Sequence, residues 1–257
     1  MYHDIYREIV RLAEAGEDAA VATVVMVSGS TPREDGAKML VYGDGRTLGT
    51  VGGGSIEKQV TQEALAVIKS GQAKKLEYKL NPKGELGMIC GGDTEVFIEP
   101  VTATPRLFVF GGGHIGIPLS KMASLADFKV VIIDDRPEYA TAARFPEATQ
   151  VIVSDFQSSF EKLRVSPGSF IVIVTHGHKG DESVLEGALK TPARYIGMIG
   201  SKSKNEAVYS HLIAKGFTQA DLDRVHAPIG LRIRAQTPEE IAVSILAEMI
   251  LVRRSAE

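Results

Sequence analysis

At 257 residues the chain has room for one large domain or two modest ones. A 44% hydrophobic, 24% charged composition is that of a globular protein, and a net charge of -3 argues against a nucleic-acid partner, which calls for a basic surface. One cysteine, Cys90, excludes an intrachain disulfide framework and a cysteine-cluster metal site.

The opening MYHDIYREIVRLAEAGED carries acids through an amphipathic pattern. It predicts a helix over Tyr2–Ala15 and not a signal peptide. No apolar run approaches the ~20 residues that span a bilayer, so a cytoplasmic location with no membrane partner is expected. Strands follow at Val21–Ser28, at Ala37–Tyr42 and over RTLGTV, with the loop GSTPREDG between the first two. Arg33 and Lys38 bracket that turn as candidate anion contacts or as solvated charge. The junction VGGGSIE then opens a helix in which Ile56, Val60, Ala64, Val67 and Ile68 recur at helical spacing. Ser55 reads as its N-cap, and free N–H groups on Gly53, Gly54 and Ser55 would form an anion site. Two more strands, KKLEYKL and TEVFIEPV, flank the loop NPKGELGMICGGD. There Cys90 precedes two glycines, as a small buried hydrophobe or as a thiol open to a ligand or metal.

The polar segment Thr102–Arg106 marks the expected domain boundary, giving 1–102 and 106–257. Beyond it strand and helix alternate. Strands are predicted at Leu107–Phe110, Val130–Asp134, Val151–Ser154, Phe170–Thr175 and Tyr195–Ile199. Helices are predicted at Ile115–Leu125, Gln157–Leu163, Glu182–Leu189, Lys204–Lys215 and Pro238–Arg253. The expected fold class is α/β, a C-terminal Rossmann-like doubly wound parallel sheet with a smaller N-terminal α+β domain.

GGGHIG fits G-x-G-x-x-G through Gly111, Gly113 and Gly116, with His114 inside it; Asp134 ends the next strand 23 residues after Gly111. The first glycine serves the tight turn, the second lets backbone approach a phosphate, and the third packs helix on strand, beside free helix N-terminal N–H groups. Asp134 can accept from a ribose hydroxyl or merely end a strand, and Arg136 sits where a 2′-phosphate would be met. THGHKGDE leaves a strand's carboxyl end, where open α/β sheets bind ligands. His176, His178 and Asp181 are metal-capable there, although histidines lining a pocket for hydrogen bonding or proton transfer suit the spacing better. In IGSKSK, after the fifth strand, the Ser and Lys groups suit phosphate, and helix capping by Ser201 or Ser203 explains them as well. No G-x-S-x-G elbow, GK[ST] P-loop or H-E-x-x-H helix is present.

GSTPREDGAKMLV, GTVGGGSIE, GMICGGDTEVFIEP, FGGGHIG with VVIIDDRPEYA, VTHGHKGD, YIGMIGSKSK, and VHAPIGL with TPEEIAVSILAEMI occur in this order. Together they make the chain resemble the xanthine dehydrogenase accessory factor (XdhC/CoxI) family over almost its whole length. The resemblance implies a non-catalytic chaperone that binds the molybdenum cofactor (molybdopterin) as cargo. It would hold the cofactor while a cysteine desulfurase supplies the terminal sulfido ligand, then deliver it to an apo xanthine dehydrogenase-type molybdenum hydroxylase. A homodimer is expected. The candidate cofactor-binding residues are Arg33, Gly53, Gly54, Ser55, Cys90, Gly111, Gly113, His114, Gly116, Asp134, His176, His178 and Ser201, with Cys90 also the candidate metal ligand. The chain departs from the family pattern at Ser55, where some members carry cysteine, and in LRIRAQ, where Arg232 and Arg234 replace an acid and a glycine. An arginine at a glycine position restricts positive φ. The alternatives are an NAD(P)-dependent oxidoreductase, with His176 or His178 as acid/base, and a nucleotide-sensing Rossmann protein.

Overall fold

A computed structural model describes residues 2–29, 33–80, 92–101 and 104–255. The chain divides into two compact units between residues 103 and 104.

The first unit is a five-stranded antiparallel sheet with a helix on each face. Its strands are β1 (Ala19–Ser28), β2 (Lys38–Tyr42), β3 (Thr47–Gly49), β4 (Lys74–Leu80) and β5 (Gly92–Val101), in the order β3-β2-β1-β5-β4. Strand side chains alternate in direction, so each face needs its own cover. Helix α1 (Tyr2–Ala15) lays Ile5 and Leu12 on Ala19, Val21 and Leu40. Helix α2 (Gly54–Ser70) lays Ile56, Val60, Ala64 and Val67 on Ala20, Ala22, Val24, Met39 and Val41.

The second unit carries a six-stranded, wholly parallel sheet. Its strands are β6 (Arg106–Phe110), β7 (Lys129–Asp134), β8 (Gln150–Val153), β9 (Phe170–Ile173), β10 (Tyr195–Met198) and β11 (Val225–His226). They lie in the order β11-β10-β9-β6-β7-β8, so the chain starts at the centre, winds to one edge, and returns to wind to the other. Both faces are buried, which is why these strands read as unbroken apolar runs. Phe108, Phe110, Val131 and Ile133 face α5 (His178–Leu189) and α6 (Lys202–Ala214), while Leu107, Val109, Val130 and Ile132 face α3 (Gly116–Leu125) and α8 (Pro238–Arg254). Gly111 and its neighbours leave the central strand β6 where the winding direction reverses. Among the described residues, no helix is long and apolar enough to cross a membrane.

Three local expectations change. The helix expected over Gln157–Leu163 is two short pieces, α4 (Phe156–Ser159) and a 3₁₀ turn (Phe160–Lys162). Asp155 caps the first, and Phe160 stacks on Phe110 with ring centroids 5.1 Å apart, which binds the segment to the core without a long helix. Strand β11 and helix α7 (Gln219–Leu222) are additions, too short for periodicity to announce. Ser55 does not cap α2. Gly52, Gly53 and Gly54 have φ of 145°, 82° and 60°, a left-handed course cheap only for glycine, and it starts the helix earlier, with Gly53 as N-cap.

At the family's expected glycine position, Arg234 takes φ 62°. Its loop is held at the base by Gly230 N donating to Glu248 Oε2 at 2.9 Å and by Leu231 N donating to Ser244 O at 3.1 Å. Glu248 also accepts from the buried Tyr195 hydroxyl at 2.5 Å, so α8 and the sheet hold the turn from both sides. The surroundings therefore impose the left-handed conformation on a residue with a Cβ. Arg234→Gly is expected to raise stability by roughly 0.5–1 kcal/mol, measured by urea unfolding of the full chain; an unchanged or lower stability would show that the arginine carries no strain.

Candidate functional site

The four glycines of FGGGHIG meet different surroundings. A Cβ at Gly111, where φ is 124°, would lie 2.2 Å from the Val174 carbonyl oxygen, so only glycine lets β6 and β9 diverge this closely. A Cβ at Gly112 would lie 2.4 Å from Tyr139 O, and one at Gly116 2.2 Å from Gly111 O, where α3 presses on its own strand. Gly113 has open space where a Cβ would stand. Gly111 N donates to Ile133 O and Gly112 N to Asp134 Oδ2, at 2.8 and 2.7 Å. Among the described residues, the N–H groups of Gly113 and His114 have no hydrogen-bond partner. They lie at the start of α3, whose dipole favours an anion there.

Asp134 is turned into the protein and is 0% exposed. Oδ1 accepts from Arg136 N at 3.0 Å and Arg136 Nε at 2.9 Å; Oδ2 accepts from Gly112 N at 2.7 Å and Arg136 Nη2 at 3.0 Å. Burial alone would push this carboxyl up. The Arg136 guanidinium and the N–H groups of Gly112 and Arg136 outweigh burial and hold it below the usual 3.8. The carboxylate expected at a ribose thus serves the glycine loop itself. Arg136, placed by sequence at a 2′-phosphate, is spent on Asp134 and lies 3.6 Å from the Tyr139 ring centroid. Arg144 reaches the same ring and donates through Nη2 to Gly112 O at 3.0 Å.

Beyond β9, His176 and Asp181 do not converge. His176 Nε2 meets Asp135 Oδ1 at 3.2 Å. Asp181 is fully buried, accepts from the Thr175 N–H and hydroxyl at 3.2 and 2.6 Å, and pairs with Lys204 of α6. Metal ligation by both residues together is therefore not how this loop is arranged. Ser201 caps α6, its Oγ accepting from Lys204 N at 3.3 Å. The structure thus gathers Gly111, Gly113, His114, Gly116, Asp134 and His176 at the carboxyl ends of β6, β7 and β9, with Ser201 after β10. Asp135, Tyr139, Arg144 and Lys204 join them. Of these, Asp135 and Lys204 had a sequence signal, the doubled acid at the end of β7 and the last lysine of IGSKSK.

Arg33, exposed, and Gly53–Ser55 belong to the first unit. At the second glycine junction the chain supplies its own anion: Gly53 N donates to Glu57 Oε1 at 3.0 Å, and the Thr50 hydroxyl donates to the same oxygen. The Gly53 N–H, expected to be free, is taken. Lys38 donates to Thr23 Oγ1 at 2.9 Å. Cys90 lies outside the described residues, as does the side chain of His178.

A parallel sheet reversing at β6, with a glycine cradle at the reversal, defines the second unit as a Rossmann-type ligand domain. Residues 107–249 match the family model of the XdhC Rossmann domain, and residues 12–79 match that of the XdhC and CoxI family. The chain belongs to the XdhC and CoxI family. It is 32% identical over 256 residues to the uncharacterized protein YqeB of Escherichia coli K12, covering 98% of this chain and 47% of that protein. It therefore spans about half the length of that relative. It is 25% identical to a probable xanthine dehydrogenase subunit of Bacillus subtilis 168, covering 95% of this chain and 96% of that protein. Identity to the E. coli molybdenum cofactor insertion chaperone PaoD is 24%, covering 99% and 91%. A crystal structure described as a xanthine dehydrogenase from Bacillus halodurans has a TM-score of 0.54 at 25% identity, over 98% of this chain and 96% of that one.

Asp134→Asn removes a buried charge from Arg136 and should cost about 3 kcal/mol, the low end for a buried pair because Arg136 keeps some solvent. The pair's folded pKa lies below the ordinary 3.8, so its contribution is complete above about pH 4 and is lost as pH falls through the depressed value. Urea unfolding of both proteins should show a constant gap from pH 7 to 5 that closes only below about pH 4. A gap that closes above pH 5 would contradict the pairing.

Proposed function

We propose that this chain is a molybdenum cofactor chaperone, which holds molybdopterin cofactor as cargo during sulfuration and delivers it to an apo xanthine dehydrogenase-type hydroxylase. A cysteine desulfurase is the sulfur donor in this reading, and the working form is a homodimer. Family membership and the likeness to PaoD support the class of cargo. The observation that carries the reading to particular residues is the open cradle at Gly113 and His114. Two unpaired N–H groups at a helix start, with space beside them, suit the cargo's terminal phosphate. The VGGGSIE junction suits it less, because Glu57 already takes the Gly53 N–H.

The protein's task is then to bind and shield without reacting. The Asp134–Arg136 clamp keeps the loop backbone in place before the phosphate arrives, so little ordering remains to be done on binding. His176 borders the cradle from β9. Cys90 is assigned as a contact to the cargo's molybdenum, for which a thiolate is a soft ligand.

The test is anaerobic loading of the purified chain with molybdenum cofactor, reading retained pterin by fluorescence after oxidation and retained molybdenum by mass spectrometry. The wild type should retain both. Gly113→Asp, whose Cβ meets open space, should fold normally and lose affinity by roughly tenfold or more, since a second anion faces the phosphate. Cys90→Ala should keep pterin but release molybdenum faster. A wild type that retains neither would overturn the reading, and an unaffected Gly113→Asp would move the phosphate elsewhere.

A further inference from the structure

Helix α8 is apolar on two sides, and the core takes only one of them. Inward it lays Ala242, Ile245 and Met249, all 0% exposed, with Ile241, Leu246 and Val252 partly buried at the edges. Val243, Ala247, Ile250 and Leu251 belong to no core cluster among the described residues. Val243 is 46% and Leu251 56% exposed. Single exposed side chains of this kind are ordinary, but these are ordered. Glu240, Val243, Ala247, Ile250 and Arg254 follow at intervals of three, four, three and four residues, the spacing with which one helix meets another. Leu251 widens that stripe. A helix apolar all round calls for burial on both sides.

The apolar surface continues past the helix. Leu231, whose N–H donates to the Ser244 carbonyl of α8 at 3.1 Å, opens a loop in which Ile233 is 51% exposed. Near the end of α8, Arg253 Nη1 donates to Ala126 O at 2.8 Å, and the preceding Leu125 is 88% exposed. These flanks extend the face toward the roughly 800 Å² per partner that a stable complex needs.

The charges on the stripe say what covers it. Its first turn is acidic, Glu239 and Glu240, and its last turn ends in Arg254. Arg253 is turned to Ala126 and the Phe128 ring, whereas Glu239 and Arg254 are exposed, with no ion-pair partner among the described residues. Val243 and Leu251 stand four residues either side of Ala247, and Glu240 and Arg254 seven. A face that is alike in apolar groups and opposite in charge about its midpoint fits a copy of itself turned by a half rotation. Turned so, two α8 helices run antiparallel and set each acidic first turn against Arg254 of the other copy. The small Ala247 at the crossing lets the axes approach to the short end of the usual ~8–10 Å.

We propose that the outer face of α8 is the docking surface for a second copy of this chain, an antiparallel α8 pair about a two-fold axis at Ala247. It rests on the reading above only for the homodimer, to which it gives a surface. Its test uses no cargo, so either can fail alone.

The experiment is sedimentation equilibrium of the full chain, with far-UV circular dichroism to show that each variant folds. The wild type should be dimeric at about 100 μM. Val243→Glu sets a charge in the stripe on a side that touches no core, so it should fold normally while the dimer weakens roughly a hundredfold or more. Arg254→Glu should weaken the dimer roughly tenfold, because two like-charged contacts replace two opposite ones. Adding Glu239→Arg to that variant should restore association, since the reversed charges meet across the axis. A wild type that stays monomeric overturns the proposal. So does a dimer that survives Val243→Glu, or one that the second charge reversal fails to rescue.

Discussion

A carboxylate without water must be matched by the protein, and at the end of β7 that requirement arranges everything around it. Asp134 takes the Gly112 N–H on one side and the Arg136 guanidinium on the other. The first bond fixes the glycine loop where β6 ends. The second draws Arg136 down onto Tyr139, whose own carbonyl packs so closely on Gly112 that no side chain fits there. Arg144 completes the arrangement from below by donating to the Gly112 carbonyl. Gly112 is thus held through both its N–H and its carbonyl, while the N–H groups of Gly113 and His114 are left unpaired. Satisfying one buried charge therefore produces a rigid loop with two N–H groups still available, which is the combination a phosphate needs.

The chain has two strand–glycine–helix junctions, and they resolve the same electrostatic problem oppositely. At Gly53 one N–H of the helix start is taken by Glu57, itself bonded to Thr50, while among the described residues no partner stands against the N–H groups of Gly54 and Ser55. At Gly113 the internal acid is directed one residue earlier, to Gly112, and the helix start stays open. An acid four residues into a helix can fold back on its own N-terminus; an acid at the end of the neighbouring strand reaches only the loop. That difference in placement decides which N–H of each glycine turn the internal acid takes.

Most of the fold was legible because its strands are buried on both faces and its helices on one, which writes apolar runs and helical periodicity directly into the chain. What stayed hidden was short or tertiary. β11 and α7, at two and four residues, leave no period, and the Phe160 segment is bound by stacking on Phe110 from another strand. Within the site, the glycines could be read because sterics dictate their identity. The use of Asp134 could not be read, since a buried clamp and a ribose acceptor require the same residue at the same place. The Lys204–Asp181 pair joins residues from two different helices, and Asp135–His176 from loops that follow two different strands, which spacing along the chain does not reveal. Arg234 is the instructive case. Its sequence conflict with a left-handed position is real, and the fold imposes that conformation regardless.

The central claim is that phosphate is received by the Gly113 and His114 N–H groups, and amide NMR of the isotopically labelled full chain tests it directly. On titration with inorganic phosphate, the Gly113 and His114 amide protons should move downfield most, with Gly53 to Ser55 nearly unmoved. The largest shifts at Gly53 to Ser55, or none at either junction, would contradict it.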